Sequence, residues 1–332
     1  MKRITIKDIA KLLQVSPSTV SRALADHPDI SEPTRNAVKM LAEELGYKPN
    51  HLAMNFRKQH SGLIALILPE IQMFFFPQVI KGLEEVIRKQ HCSLMVLHSN
   101  NSLDLEKENI DLCMQYPVDG VILSLTTETE DLEHLKPLLK SEVPILLYDR
   151  ILQSDEVSTL TIDDQTAVFK AISLLINKGH QHIVGLFGDE NLYISKERLK
   201  GFYKAMEHHQ LPVRQDWILN VKPLSDVTAA LSQILLAKPC PTAIFAMSDE
   251  LLIRLHTVLA QVRMKIPRDI AIVAISEGYI PNISYPKITH VHHSGYEVGA
   301  KAGEMLLELM QQTQPKQLHH QMTSKLVLHD SV

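Results

Sequence analysis

Apolar residues follow two different rhythms along this chain. Near the start they recur every third or fourth position; beyond Leu63 they gather into unbroken runs such as LIALIL and AIVAI. Ile6, Ile9, Ala10 and Leu13 fall at i, i+3, i+4 and i+7, the spacing of one helical face, and predict a short first helix. A second helix is expected after Ser16, a good N-cap, with Pro17 at the first helical position, where its missing N–H costs nothing. Within VSPSTVSRAL, Val20, Ala23 and Leu24 share one face while Ser18, Ser21 and Arg22 share the other. SEPTRNAVKMLAEELGY predicts a third helix capped by Ser31, with Ala37, Val38, Leu41 and Leu45 inward and Gly46 as its stop. Only a tight turn at Gln14 and Val15 separates the first two helices, so the segment describes a helix-turn-helix unit.

In such a unit the second helix enters the major groove of duplex DNA. Ser16, Thr19 and Ser21 can bond phosphates, which positions the helix without reading sequence. Pro17 and Ser18 stand where base contact is geometrically possible, and Arg22 can fork onto guanine O6 and N7. The plainer reading of SPST, a capped surface helix, loses ground because of the neighbouring helices and the charge balance.

From Leu63 onward, GLIALILPE, CSLMVLHS, GVILSL and PILLYD read as near-continuous apolar strands, each followed by a helical pattern; HIVGLFGD, TAIFAMSD and IAIVAIS form a second set. Strands of this kind belong to parallel sheets covered on both faces. The fold class expected is α/β: a three-helix DNA-binding head and a body of two doubly wound parallel-sheet subdomains, whose facing strand ends form a cleft.

Charge changes this picture. The net charge of −4 is unpromising for a nucleic-acid binder, but residues 1–60 hold ten Lys and Arg against six Asp and Glu, leaving −8 on the remainder. A basic head on an acidic body lets a small module meet a polyanion. The apolar runs are strand-sized, and the basic start is followed by no signal-peptide core, so no membrane partner is expected. Cys92, Cys113 and Cys240 are scattered and odd in number; they read as buried thiols of a reducing compartment, and the cytoplasm is the expected location.

TIKDIAKLLQVSPSTVSRAL, SEPTRNAVKMLAEELGYKPN and LAMNFR resemble the head and hinge of the lactose-repressor family of bacterial transcription regulators. PTAIFAMSDELL, KGHQHIVGLFG, ERLKGF, IPRDIAIVAIS and SKLVLHDSV extend the likeness over the whole chain. The resemblance implies a head over 1–48, a hinge over 49–60, and a periplasmic-binding-protein-like body. One subdomain of that body comprises 61–161 and 293–322, the other 162–292 and 323–332. It also implies that Asn50 to Arg57 folds as a helix in the minor groove, with Ala53 permitting close approach and Phe56 wedged into the central base step. Phe56 as a linker anchor packed on the body is the alternative. The implied partners are a pseudo-palindromic double-stranded operator, a second copy of the chain as homodimer, and a small-molecule effector, a sugar or sugar acid.

For the effector, the resemblance points to Phe75 and Phe76 as an aromatic contact pair, to Asp149 and Arg150 at the cleft rim, and to Arg198, Asp249, Ser276 and His293. Several positions depart from the family. Met73–Phe74 replace a small residue or Asn followed by Pro, and Ser248 replaces Asn. Ser276 stands where an Asp is common, and His293 where a Gln is. Either the effector lacks the hydroxyl pair that such an Asp binds, or Glu277 or His293 takes over that contact. A carboxylated sugar facing Arg198 and His293 would fit.

Other chemistry is excluded. His290, His292 and His293 suggest a metal cluster, but alternation along a strand sends His292 to the opposite face, and no second ligand group accompanies them. GLFGDE lacks phosphate-loop spacing and closes a strand instead. No cofactor is implied, and no nucleophile elbow, triad order or catalytic carboxylate pair stands out, so an enzyme is not expected. The alternatives are a sugar-binding receptor, which would have no use for residues 1–58, and a sugar-modifying enzyme on the same body.

Overall fold

The computed structural model describes residues 4–47, 61–71, 74–221, 227–312 and 316–332. Head and body are separate compact units, divided between Ser61 and Gly62.

The head is three helices, α1 (Ile6–Leu13), α2 (Pro17–Leu24) and α3 (Glu32–Glu44). Local chemistry sets their ends. Thr5 and Asp8 form a reciprocal capping box at α1, and Ser16 Oγ accepts from the Thr19 N–H at 3.0 Å at α2. Gln14, in the left-handed conformation, makes the turn between them. Ile9, Ala10, Val20, Ala23, Val38 and Ala42 form the core. Two expectations for α3 need correction. Ala37 is exposed and Ala42 takes the inward place, because the buried stripe is centred on Val38 and Ala42, four residues apart on one face. Ser31 occupies the N-cap, but its hydroxyl meets Thr34 Oγ1 at 2.9 Å and no backbone amide. Asp26 instead pins the loop before α3, receiving Lys39 Nζ at 2.6 Å.

The body holds two six-stranded sheets. The first has the order β11-β5-β4-β3-β1-β2 and contains β1 (Leu63–Leu68), β2 (Ser93–His98), β3 (Gly120–Leu123), β4 (Ile145–Tyr148), β5 (Ser158–Ile162) and β11 (His319–Met322), all parallel. The second has the order β12-β10-β9-β8-β6-β7. It contains β6 (Ile183–Phe187), β7 (Ile218–Asn220), β8 (Ala243–Ala246), β9 (Ala271–Ser276) and β10 (Thr289–His292), with β12 (Lys325–Val327) antiparallel at its edge. In each sheet the strand order reverses beside the first strand to enter, and an open α/β sheet carries its ligand crevice at such a point.

Helices α4 (Phe75–Arg88), α5 (Leu103–Gln115), α6 (Lys136–Lys140) and α12 (Gly295–Gln311) serve the first sheet; α7 (Asp164–Asn177), α8 (Tyr193–His208), α9 (Thr228–Leu236), α10 (Asp249–Gln261) and α11 (Tyr279–Ile283) serve the second. The chain passes between sheets after β5, after β10 and after β11. Strands β3, β4, β6, β8 and β9 are buried throughout, as continuous apolar runs require. CSLMVLHS is different: β2 is an edge strand and only partly covered. The thiols differ as well, since only Cys113 is buried, while Cys92 is half-buried and Cys240 exposed in a surface turn. Burial pushes the Cys113 thiol up to about 12, which leaves it inert.

Helices α4 and α12 touch through glycines. A Cβ on Gly299 would stand 2.0 Å from the Val79 carbonyl oxygen, and one on Gly82 would stand 2.1 Å from that of Tyr296. Gly299→Ala must therefore push the helices apart, with an expected cost of about 1–3 kcal/mol. Urea unfolding should show a lower midpoint at unchanged slope; an unshifted midpoint would contradict the close packing.

Candidate functional site

On α2 the core side and the outer side are opposed. Val20 and Ala23 are fully buried, whereas Pro17, Ser18 and Arg22 are exposed and Thr19 and Ser21 half-buried. Ser16 Oγ lies 2.6 Å from Ser18 Oγ and 2.8 Å from Thr19 Oγ1, so the hydroxyls form a linked row at the helix start. The guanidinium of Arg22 has no hydrogen-bond or ion-pair partner among the described residues. Asn50, Ala53 and Phe56 lie outside the described residues.

In the body, the strand ends of both sheets converge on a small cavity lined by Phe75, Asp149, Thr161, Asp164, Ile194 and His293, with Leu160, Ile162 and Val298 completing its wall. Its free volume is about 10 Å³, at the lower limit for one water molecule, so the cleft is closed. Arg198, 3% exposed on α8, organises it. Its Nε donates to Asp164 Oδ1 at 2.7 Å, Nη1 to the Met247 carbonyl at 2.9 Å, and Nη2 contacts His293 Nδ1 at 3.3 Å. A guanidinium can only donate, so Nδ1 of His293 carries the lone pair and Nε2 the proton. Burial, reinforced by the charges of Arg198 and His292, holds His293 well below the usual imidazole range, so it is neutral. Phe75 meets the His293 ring edge-on at 4.7 Å.

Asp149 follows β4 with φ of +58°, an uncommon conformation that Asp tolerates. Burial raises its carboxyl above the ordinary range, against the pull of Arg150 and Arg198. No side chain donates to it among the described residues, which leaves its oxygens as the cavity's open acceptors.

The other expected residues stand elsewhere. Arg150 turns to Asn101 Oδ1 at 2.8 Å and Glu70 Oε1 at 3.2 Å, and lies over the Phe76 ring at 6.0 Å. Phe76 is in the core of the first subdomain. Ser276 donates to Asp249, whose other oxygen accepts from the Glu277 N–H at 3.0 Å, so the pair satisfies itself. The orientation expected for the histidines needs correction. His290 and His292 share a face, with rings 6.1 Å apart, and His293 is the one that turns away into the cavity, because alternate positions on a strand share a side. Asp164 was not anticipated. It follows STLTI, whose β-branched residues were the available sign of β5 and of a carboxylate at its end.

A helix-turn-helix with an exposed polar face on its second helix, joined to a body of two mostly parallel sheets, defines the class of DNA-binding regulators with a ligand-binding body. The family described as bacterial regulatory proteins, lacI family, matches residues 5–50, and the periplasmic binding proteins and sugar binding domain of LacI family match 61–326. The chain belongs to the LacI family of bacterial regulatory proteins.

Among its relatives are the NTD biosynthesis operon regulator NtdR of Bacillus subtilis (strain 168), 31% identical over 92% of each chain, and catabolite control protein A of Priestia megaterium, 28% identical over 92% of each. The HTH-type transcriptional repressor CytR of Escherichia coli (strain K12) is 30% identical over 92% of this chain and 90% of its own. The lac repressor dimer bound to operator and the anti-inducer ONPF shares the fold with a TM-score of 0.84 at 20% identity, over 99% of each chain. This chain is a transcriptional regulator with a ligand-binding body and not an enzyme. No described helix is long and apolar enough to cross a membrane.

Replacing Arg198 by Met would leave Asp164, 3% exposed, as a buried carboxylate without its cation. The expected loss is about 3–5 kcal/mol, read from urea unfolding of the purified protein; a loss below about 1 kcal/mol would show that the pair does not hold the body together.

Proposed function

We propose that the protein acts in the cytoplasm as a homodimer that binds a pseudo-palindromic operator, one head per half-site, and that a small molecule in the body's cavity sets its DNA affinity. The observation that carries this reading is the cavity itself, whose walls come from both sheets and from two of the segments that cross between them. A ligand there biases the body between closed and open arrangements, and it shifts DNA affinity only as far as it distinguishes the two. We take 61–161 with 293–322, and 162–292 with 323–332, as the moving subdomains, and 49–60 as the hinge to the head at 1–48.

On α2, Arg22 and Ser18 read base edges from the exposed face, while Ser16, Thr19 and Ser21 position the helix on phosphates. Asn50, Ala53 and Phe56 serve the minor groove. Exposed Ile253, Tyr279, Ile283 and Tyr285 on and after α10 and α11 supply an apolar surface suited to a second copy. For the effector, Phe75 provides a ring face, Asp149 an acceptor and His293 Nε2 a donor. A neutral sugar fits these groups better than a sugar acid, because Arg198 is already engaged three ways, His293 is uncharged and Asp149 would repel a carboxylate.

Arg22→Ala should weaken specific over non-specific DNA binding by about 1–3 kcal/mol, measured by competition with scrambled duplex; unchanged preference would remove Arg22 from base reading. Phe56→Ala should reduce the bend angle seen in circularly permuted fragments, and equal bends would favour the linker-anchor role. In a thermal-shift panel of neutral sugars and uronates, a neutral sugar should raise the melting temperature; stabilisation by uronates alone would reverse the charge argument.

A further inference from the structure

Glu277 belongs to neither the cavity wall nor the Asp249–Ser276 pair. It leaves the end of β9 in the second sheet, and its carboxylate accepts a hydrogen bond from the backbone N–H of Gly295, the first residue of α12 on the first sheet. The first amides of a helix have no partner inside it. Here Ser294 Oγ takes the N–H of Glu297 at 3.2 Å and Glu277 takes that of Gly295, so a residue of one subdomain completes a helix of the other. The junction is tight: a Cβ on Gly295 would stand 2.4 Å from the carbonyl oxygen of Phe75, which also lines the cavity. Beside it the rings of Phe74, after β1, and Tyr279, after β9, stack at 4.6 Å with planes 25° apart. Two contacts therefore bridge the subdomains at the same place, next to the effector cavity.

We propose that Glu277 is a proton-operated clasp between the two subdomains: its protonated carboxyl favours the closed body at Gly295, and its ionised form loosens the closure. The charges that act on it are Asp249 at the start of α10, which holds the Glu277 N–H, and Glu297 in the first turn of α12, both of its own sign. His292, at the end of β10, acts on Asp249 from the same side. Burial pushes the Glu277 carboxyl up to about 7, with the two neighbouring carboxylates adding to it and the Gly295 N–H pulling the other way.

Opening the body would return the side chain to water, where its carboxyl falls back toward 4.5. The closed form therefore binds the proton more tightly, and acid favours closure. With values of about 7 closed and about 4.5 open, the ratio of closed to open rises about tenfold between pH 8 and pH 6.

The test needs neither DNA nor effector, so its failure would leave the regulator reading intact. Hydrogen exchange at the Gly295 amide is followed in the full chain at pH 6 and pH 8, corrected for intrinsic exchange. Protection in the wild type should be about tenfold higher at pH 6. Glu277→Gln, which keeps an acceptor oxygen for Gly295 and removes the charge, should hold the high value at both. Glu277→Ala should be weakly protected at both, with far-UV circular dichroism confirming its fold. A flat wild-type profile, or the wild-type pH dependence persisting in Glu277→Gln, overturns the proposal.

Discussion

A guanidinium taken out of water must find several acceptors at once, and Arg198 finds them on three separate segments. Asp164 begins the helix after the first crossing between sheets, Met247 follows β8, and His293 lies at the second crossing. Their partnership orients the imidazole, decides its tautomer and keeps one carboxylate compensated. Without the ion pair, an uncompensated carboxylate would sit beside Asp149, whose carboxyl burial already raises above its ordinary range. That cluster fixes Asp164 and His293, two of the residues that line the cavity, where the chain crosses between the sheets.

Closure of the cavity and the route of the chain are therefore one problem. Leu160, Thr161, Ile162, Asp164 and His293, which line it, come from β5, the start of α7 and the turn between β10 and α12, where the chain changes sheet. A molecule that alters these contacts touches the segments that join the two sheets. Glu277 and Gly295 meet at the same turn, so proton binding and ligand binding draw on a common closure, and linkage makes each respond to the other.

The head is organised on different terms. Its core is small and its helices are fixed by caps, chiefly Thr5 with Asp8 at α1 and Ser16 at α2. Because Val20 and Ala23 face inward, Ser18 and Arg22 must face out, and the linked hydroxyls at the start of α2 present a polar edge of defined geometry. Nothing long-range is required to place them.

That contrast accounts for what could be read before the structure was known. The helix-turn-helix, its caps at Thr5 apart, and the buried strands β1, β3, β4, β6, β8 and β9 were legible because periodicity and capping act between near neighbours along the chain. Ala42 rather than Ala37 faces inward on α3 because only packing locates the centre of the buried stripe, and β2 is less covered than its apolar run implies because such a run does not say whether it will lie at an edge. Phe75, Arg198 and His293 were indicated by the family resemblance, and Asp149 also by its place at a strand end. The self-satisfied pair of Asp249 and Ser276 and the reach of Glu277 to Gly295 carried no sign in the sequence. The bonds of Arg198 span 34, 49 and 95 positions of the chain. The amino-acid order by itself determined the elements and the side chains available, whereas only the tertiary structure decided which charges would meet, because compensation of a buried charge depends on distance in space.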